Sequence, residues 1–131
     1  MISTSFKKLT RTLSLFCLCP LLIMCTDERN YASVALLKDV DREMAPQFVK
    51  GVWRYRGARA IDKGIAIYIQ IPDRLDISAS QHKDYIIQTI CPDRDHDEFW
   101  QKLTRYDLFI RTYNYVDRNY IEARCPSNYS R

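Results

Sequence analysis

Glycine and histidine are scarce in this chain. Three glycines and two histidines among 131 residues provide no Gly-rich phosphate loop, no nucleophile elbow and no His/Cys metal-binding spacing. His82, His96, Ser78 and Ser80 are the side chains that could take part in acid–base or nucleophilic work. Their neighbourhoods read as helix caps and charged surface, without the base or orienting partner that a nucleophile needs. No enzymatic activity and no cofactor are therefore expected. The string Asp93-Arg94-Asp95-His96-Asp97-Glu98 alternates acids as a calcium loop does. It has Glu98 where the loop needs glycine and Thr104 where it needs a bidentate Glu, so it reads as a solvated helix start and no metal is expected.

A long apolar run is also missing. Leu13–Met24 carries no charge, but it is about a dozen residues against the roughly 20 that a spanning helix requires. Nor is there an excess of one charge beyond the first residues. The formal charge is +4, from 20 basic and 16 acidic side chains. Lys7, Lys8 and Arg11 account for three of the basic groups, so the chain after residue 25 holds 17 against 16. Binding to phosphates needs a concentrated basic face, so no nucleic-acid partner is expected.

A cationic start followed by an apolar run is the pattern of an export signal. No small-x-small cleavage site follows near Met24–Ser33. Leu22-Ile23-Met24-Cys25 resembles instead the lipobox of bacterial lipoproteins, with Met24 where Gly, Ala or Ser is usual. That resemblance implies that Cys25 is acylated and becomes the new N-terminus, and that Thr26 after it directs the protein to the periplasmic face of the outer membrane. One acyl chain anchors weakly, whereas the two or three of a lipoprotein hold firmly. An uncleaved signal anchor or an unusual cleavage is the alternative. The organisation is then a signal peptide over 1–24, a lipidated linker over 25–30 and one domain over 31–131.

Cys17 and Cys19 fall in the apolar run and read as plain apolar residues. Cys91 and Cys125 remain, and an oxidising periplasm permits a disulfide between them; closing a loop of about 35 residues would contribute roughly 3–4 kcal/mol. A metal site, which would need two further ligands, and two free thiols are the competing readings.

Within the domain, Asn30 is positioned to cap a helix over about Tyr31–Met44, with Pro46 closing it. Val52–Ile61 reads as a strand. Asp62-Lys63-Gly64 reads as a turn whose glycine takes the left-handed conformation. In Gly64–Ile71 the four isoleucines share one face while Ala66, Tyr68 and Gln70 share the other, the period-two pattern of a half-buried strand. Ser78–Cys91 and Asp93–Leu103 read as helices. Leu108–Val116 and Tyr120–Cys125 read as strands joined at Asp117-Arg118-Asn119. The expectation is an α+β domain with a mainly antiparallel sheet of about four strands, order α-β-β-α-α-β-β, and one disulfide.

This layout resembles the pilotin lipoproteins of the bacterial type II secretion system, in the form found in vibrios and some Escherichia. The likeness covers most of residues 30–125: a helix ending at Pro46, a hairpin turning at Asp62-Lys63-Gly64, a helix ending in Cys91-Pro92, then Leu103, Tyr106, Leu108-Phe109-Ile110-Arg111 and a closing cysteine. It departs in lacking a glycine before Tyr106 and in the charged turn at Arg118. The resemblance implies a non-enzymatic protein that binds the C-terminal segment of a secretin and carries it to the outer membrane by its lipid. Such a tail would fold as an amphipathic helix in an apolar groove, at a cost of several kcal/mol that large anchors must offset. Aromatics left over once the isoleucine face is covered are the candidate partner contacts: Trp53, Tyr55, Tyr68, Phe99, Trp100, Tyr113 and Tyr115. A small inhibitor, immunity or exclusion lipoprotein fits the same size and compartment.

Overall fold

A computed structural model describes residues 30–117 and 119–129. The leader, Cys25 and Arg118 lie outside the described residues. Among the described residues three α-helices and four strands follow in the order α1 (Val34–Met44, continued by a short 3-10 turn at Ala45–Phe48), β1 (Arg54–Ile61), β2 (Gly64–Gln70), α2 (Ala79–Thr89), α3 (Asp97–Lys102), β3 (Asp107–Tyr113) and β4 (Ile121–Arg124). This is the expected α+β order, and Cys91 and Cys125 form the expected disulfide.

The sheet has the order β1-β2-β3-β4. Both outer pairs are antiparallel, and the central pair β2–β3 is parallel. The parallel pair follows from the connection: α2 and α3 stand between β2 and β3, and a crossover of that length returns the chain in the same direction. The isoleucines of β2 and its end, Ile65, Ile67, Ile69 and Ile71, are at most 2% exposed. They pack with Leu108 and Ile110 of β3 against Val40 and Met44 of α1, Ile86 of α2 and Phe99 and Trp100 of α3. Each such side chain taken out of water contributes about 1.5–3 kcal/mol, so this inner layer is the main source of stability.

Local chemistry sets the helix starts. α1 begins three residues later than Asn30 capping would place it, because the Ser33 hydroxyl accepts from the Leu36 amide. Asn30 is engaged elsewhere: its carbonyl accepts from the Lys63 amide and its side chain accepts from the Tyr106 hydroxyl. At α2, Ser78 and Gln81 form a reciprocal capping box that satisfies two otherwise orphaned amides. α3 is shorter than Asp93–Leu103. The chain first turns at Asp93–His96, and the Trp100 indole donates to the Asp93 carbonyl at 2.8 Å.

Two further expectations are corrected. The left-handed residue of the first hairpin is Lys63, with φ 58°, rather than Gly64. Gly64 is required by crowding instead, since a Cβ there would lie 3.0 Å from the Phe109 ring and 3.1 Å from the Asp107 carbonyl. β2 is also not half-buried: Ala66 and Gln70, on the face away from the helices, are buried as well. Arg56 of β1 reaches across to Gln70 and donates to its side-chain oxygen at 2.8 Å, so a long arginine stem covers this face where no helix does.

Candidate functional site

Helices pack on one face of the sheet only, and the other face is open among the described residues. Its composition follows from the register. Arg54 stands opposite Gln70 and Arg59 opposite Ala66, while Ala66, Tyr68 and Gln70 pair with Phe109, Arg111 and Tyr113 of β3. Arg124 and Glu122 of β4 pair with Phe109 and Arg111.

β1 reaches this face through a bulge. Arg56 and Gly57 together occupy the place opposite Tyr68, and Gly57 has φ 103°. An extra residue inverts the alternation beyond it. Ala58 and Ala60 consequently pack toward the core, and Arg59 joins Arg54 and Arg56 on the open face. The bulge is held from α1, where Asp41 Oδ1 accepts from the Ala58 amide at 2.8 Å and from the Tyr55 hydroxyl at 2.6 Å.

Across the strands, guanidinium groups and phenol rings alternate. Arg59 lies over the Tyr68 ring with its guanidinium carbon 4.6 Å from the centroid, and Arg111 lies 4.5 Å from the Tyr120 centroid. Arg111 donates to Glu122 at 2.6 Å and to the Tyr68 hydroxyl at 2.6 Å. Burial works against the charge of Arg111, but these two acceptors outweigh it and hold the guanidinium more firmly protonated than usual. Arg124 donates to Asp107 at 2.7 Å. At one end of the face Arg59, Tyr68, Gln70, Tyr113, Tyr115 and Tyr120 surround a depression of about 360 Å³.

The seven predicted contact residues divide into three groups. Tyr68, Tyr113 and Tyr115 come together at this depression. Phe99 and Trp100 are 5% and 2% exposed and belong to the core, because the inner sheet face draws the largest apolar groups of α3 onto it. Trp53 and Tyr55 are partly buried against the same core. Trp53 meets the Tyr85 ring edge-on. Burial first, then the bond to Asp41, pushes the Tyr55 phenol well above its usual range, so it stays a proton donor.

Arg59, Arg111 and Tyr120 join the face without being among the partner contacts expected from the sequence. Phe109, Arg111 and Tyr113 alternate with the buried positions of β3, and that period-two pattern identifies the side on which Arg111 lies. The placement of Arg59 depends on the bulge. Charge counting over the whole domain does not reveal that arginines gather on one face.

The residues considered for catalysis are placed structurally. Ser78 caps α2. His82 is 3% exposed, with Nε2 3.1 Å from Thr112 Oγ1; burial, and secondarily the charge of Arg74, lower its pKa below 6.5. His96 lies 3.4 Å from the Glu43 carboxylate on the surface. Among the described residues no group of three or more His, Cys, Asp or Glu side chains is arranged to hold a metal, and no helix is long and apolar enough to cross a membrane. Comparison with protein-family models, curated proteins and solved structures finds no match to this chain.

Proposed function

We propose that this chain is a non-enzymatic, lipid-anchored binding protein, a pilotin, whose open sheet face takes the C-terminal segment of a secretin and whose Cys25 lipid carries that segment to the periplasmic face of the outer membrane. The observation that supports this reading is the helix-free face on which Tyr68, Tyr113, Tyr115 and Tyr120 surround one depression. Tyrosine gives large contact area with few rotatable bonds, which suits a surface that must offset the ordering of a flexible tail. Below it, the packed isoleucine layer and the Cys91–Cys125 bond keep the face rigid, so the protein spends little free energy on rearrangement when the partner binds.

The function divides between two parts of the chain. The domain provides recognition, and the leader with Cys25 provides address and anchor. Capture of a secretin tail by the full chain tests the recognition half. Tyr113→Ala should weaken capture by about 1–2 kcal/mol, the usual worth of a well-placed interface aromatic, while the circular-dichroism melt stays unchanged because Tyr113 stands outside the core. Undiminished capture by a folded Tyr113→Ala/Tyr68→Ala variant removes the depression as the binding site.

A further inference from the structure

Electrostatic charge is distributed unevenly across the open face. On β3 and β4 each arginine has a carboxylate, Arg111 with Glu122 and Arg124 with Asp107. On β1 none does among the described residues. Arg54 donates to the Gly51 carbonyl at 3.1 Å, Arg56 to the neutral Gln70 side chain at 2.8 Å, and Arg59 lies on the Tyr68 ring. All three are exposed. The Gly57 bulge brings the third of them to this face, and β1 is an edge strand. The outcome is a row of three uncompensated guanidinium groups along the rim of an aromatic surface.

We infer that this row is the docking strip for an acidic protein segment, one that sets carboxylates against Arg54, Arg56 and Arg59 and apolar side chains against Tyr113 and Tyr115 of the neighbouring depression. The inference rests on the reading that the open face binds a protein segment, and it specifies the charge of that segment. Charge complementarity carries it: guanidinium forks pair bidentately with carboxylates, and opposite potentials fix register and speed encounter. Single-stranded nucleic acid fits less well, because it needs bare aromatic faces for stacking and the rings of Tyr68 and Tyr120 already carry Arg59 and Arg111. An anionic bilayer fits less well too, since Glu122 and Asp107 would be pressed against it on the same face.

The test uses the full chain in detergent and four fluorescent probes: an amphipathic Leu/Glu peptide, its Leu/Lys counterpart, oligothymidylate, and phosphatidylglycerol vesicles. The Leu/Glu peptide should bind at least roughly tenfold more tightly than the Leu/Lys peptide, with an affinity that falls as salt rises. An Arg54→Glu/Arg56→Glu/Arg59→Glu variant should reverse that preference while keeping the folded circular-dichroism spectrum, at some cost in melting temperature because Arg56 no longer donates to Gln70. Equal binding of the two peptides, or an unaltered preference in the variant, overturns the inference, and so does tighter binding of oligothymidylate or vesicles than of the Leu/Glu peptide. Capture of a secretin tail that is insensitive to the triple reversal would leave the pilotin reading standing and remove the docking strip. Preference for the acidic peptide without capture of a secretin tail would do the reverse.

Discussion

Asp41 on α1 accepts a hydrogen bond from the Tyr55 hydroxyl on β1 at 2.6 Å, and the same carboxylate oxygen accepts from the Ala58 amide beyond the bulge. One side chain thus fixes the place at which β1 changes face. It connects the helix layer to the arginines of the open face without touching them.

Asp41→Ala should therefore destabilise the fold by roughly 2–4 kcal/mol, because a partly buried phenol and an edge-strand amide both lose their acceptor. Asp41→Asn retains one acceptor oxygen and should cost less. Urea unfolding of both variants checks the order. Equal stability of wild type and Asp41→Ala would mean that the bulge holds itself.

Gly57 should tolerate no L side chain without strain. At φ 103°, Gly57→Ala is expected to cost about 1–3 kcal/mol through backbone conformation, since a Cβ there would meet only Asp41 Oδ1, at an ordinary contact distance of 4.0 Å. Gly51→Ala, where only ordinary contact awaits the new methyl, should stay within about 0.5 kcal/mol of wild type. Thermal melts of the pair make the comparison.

His82 should give the domain a pH dependence. Its folded pKa lies below the unfolded value of 6.5, so the unfolded chain binds the proton more readily. The resulting stability is fully present above about pH 6.5 and declines as pH falls from there toward the folded pKa. His82→Gln should flatten that part of the curve. Stability–pH profiles of the two proteins that run parallel from pH 7 downward would show that His82 does not titrate on unfolding.

Much of this architecture is legible in the sequence, for identifiable physical reasons. Ile65, Ile67, Ile69 and Ile71 mark their strand because a sheet places alternate residues on one side. Cys91 and Cys125 are the two cysteines left outside the leader region, and they pair. The parallel β2–β3 pairing and the second buried face of β2 are not legible, since both depend on which strands become neighbours. Trp100 and Phe99 look like spare aromatics in sequence and are core in space, because periodicity cannot tell which surface a short helix packs against. The open face is hidden for a sharper reason. A one-residue bulge at Gly57 reverses the side to which Arg59 points, and simple alternation assigns that arginine to the core.

Delivery of a secretin to the outer membrane is what we propose for this protein. Fractionating membranes from a strain in which this protein has been deleted, and following the secretin multimer, is the decisive measurement. The multimer should accumulate away from the outer membrane and return there when the full chain with Cys25 is restored. Normal assembly of the multimer in the outer membrane of the deletion strain would contradict it.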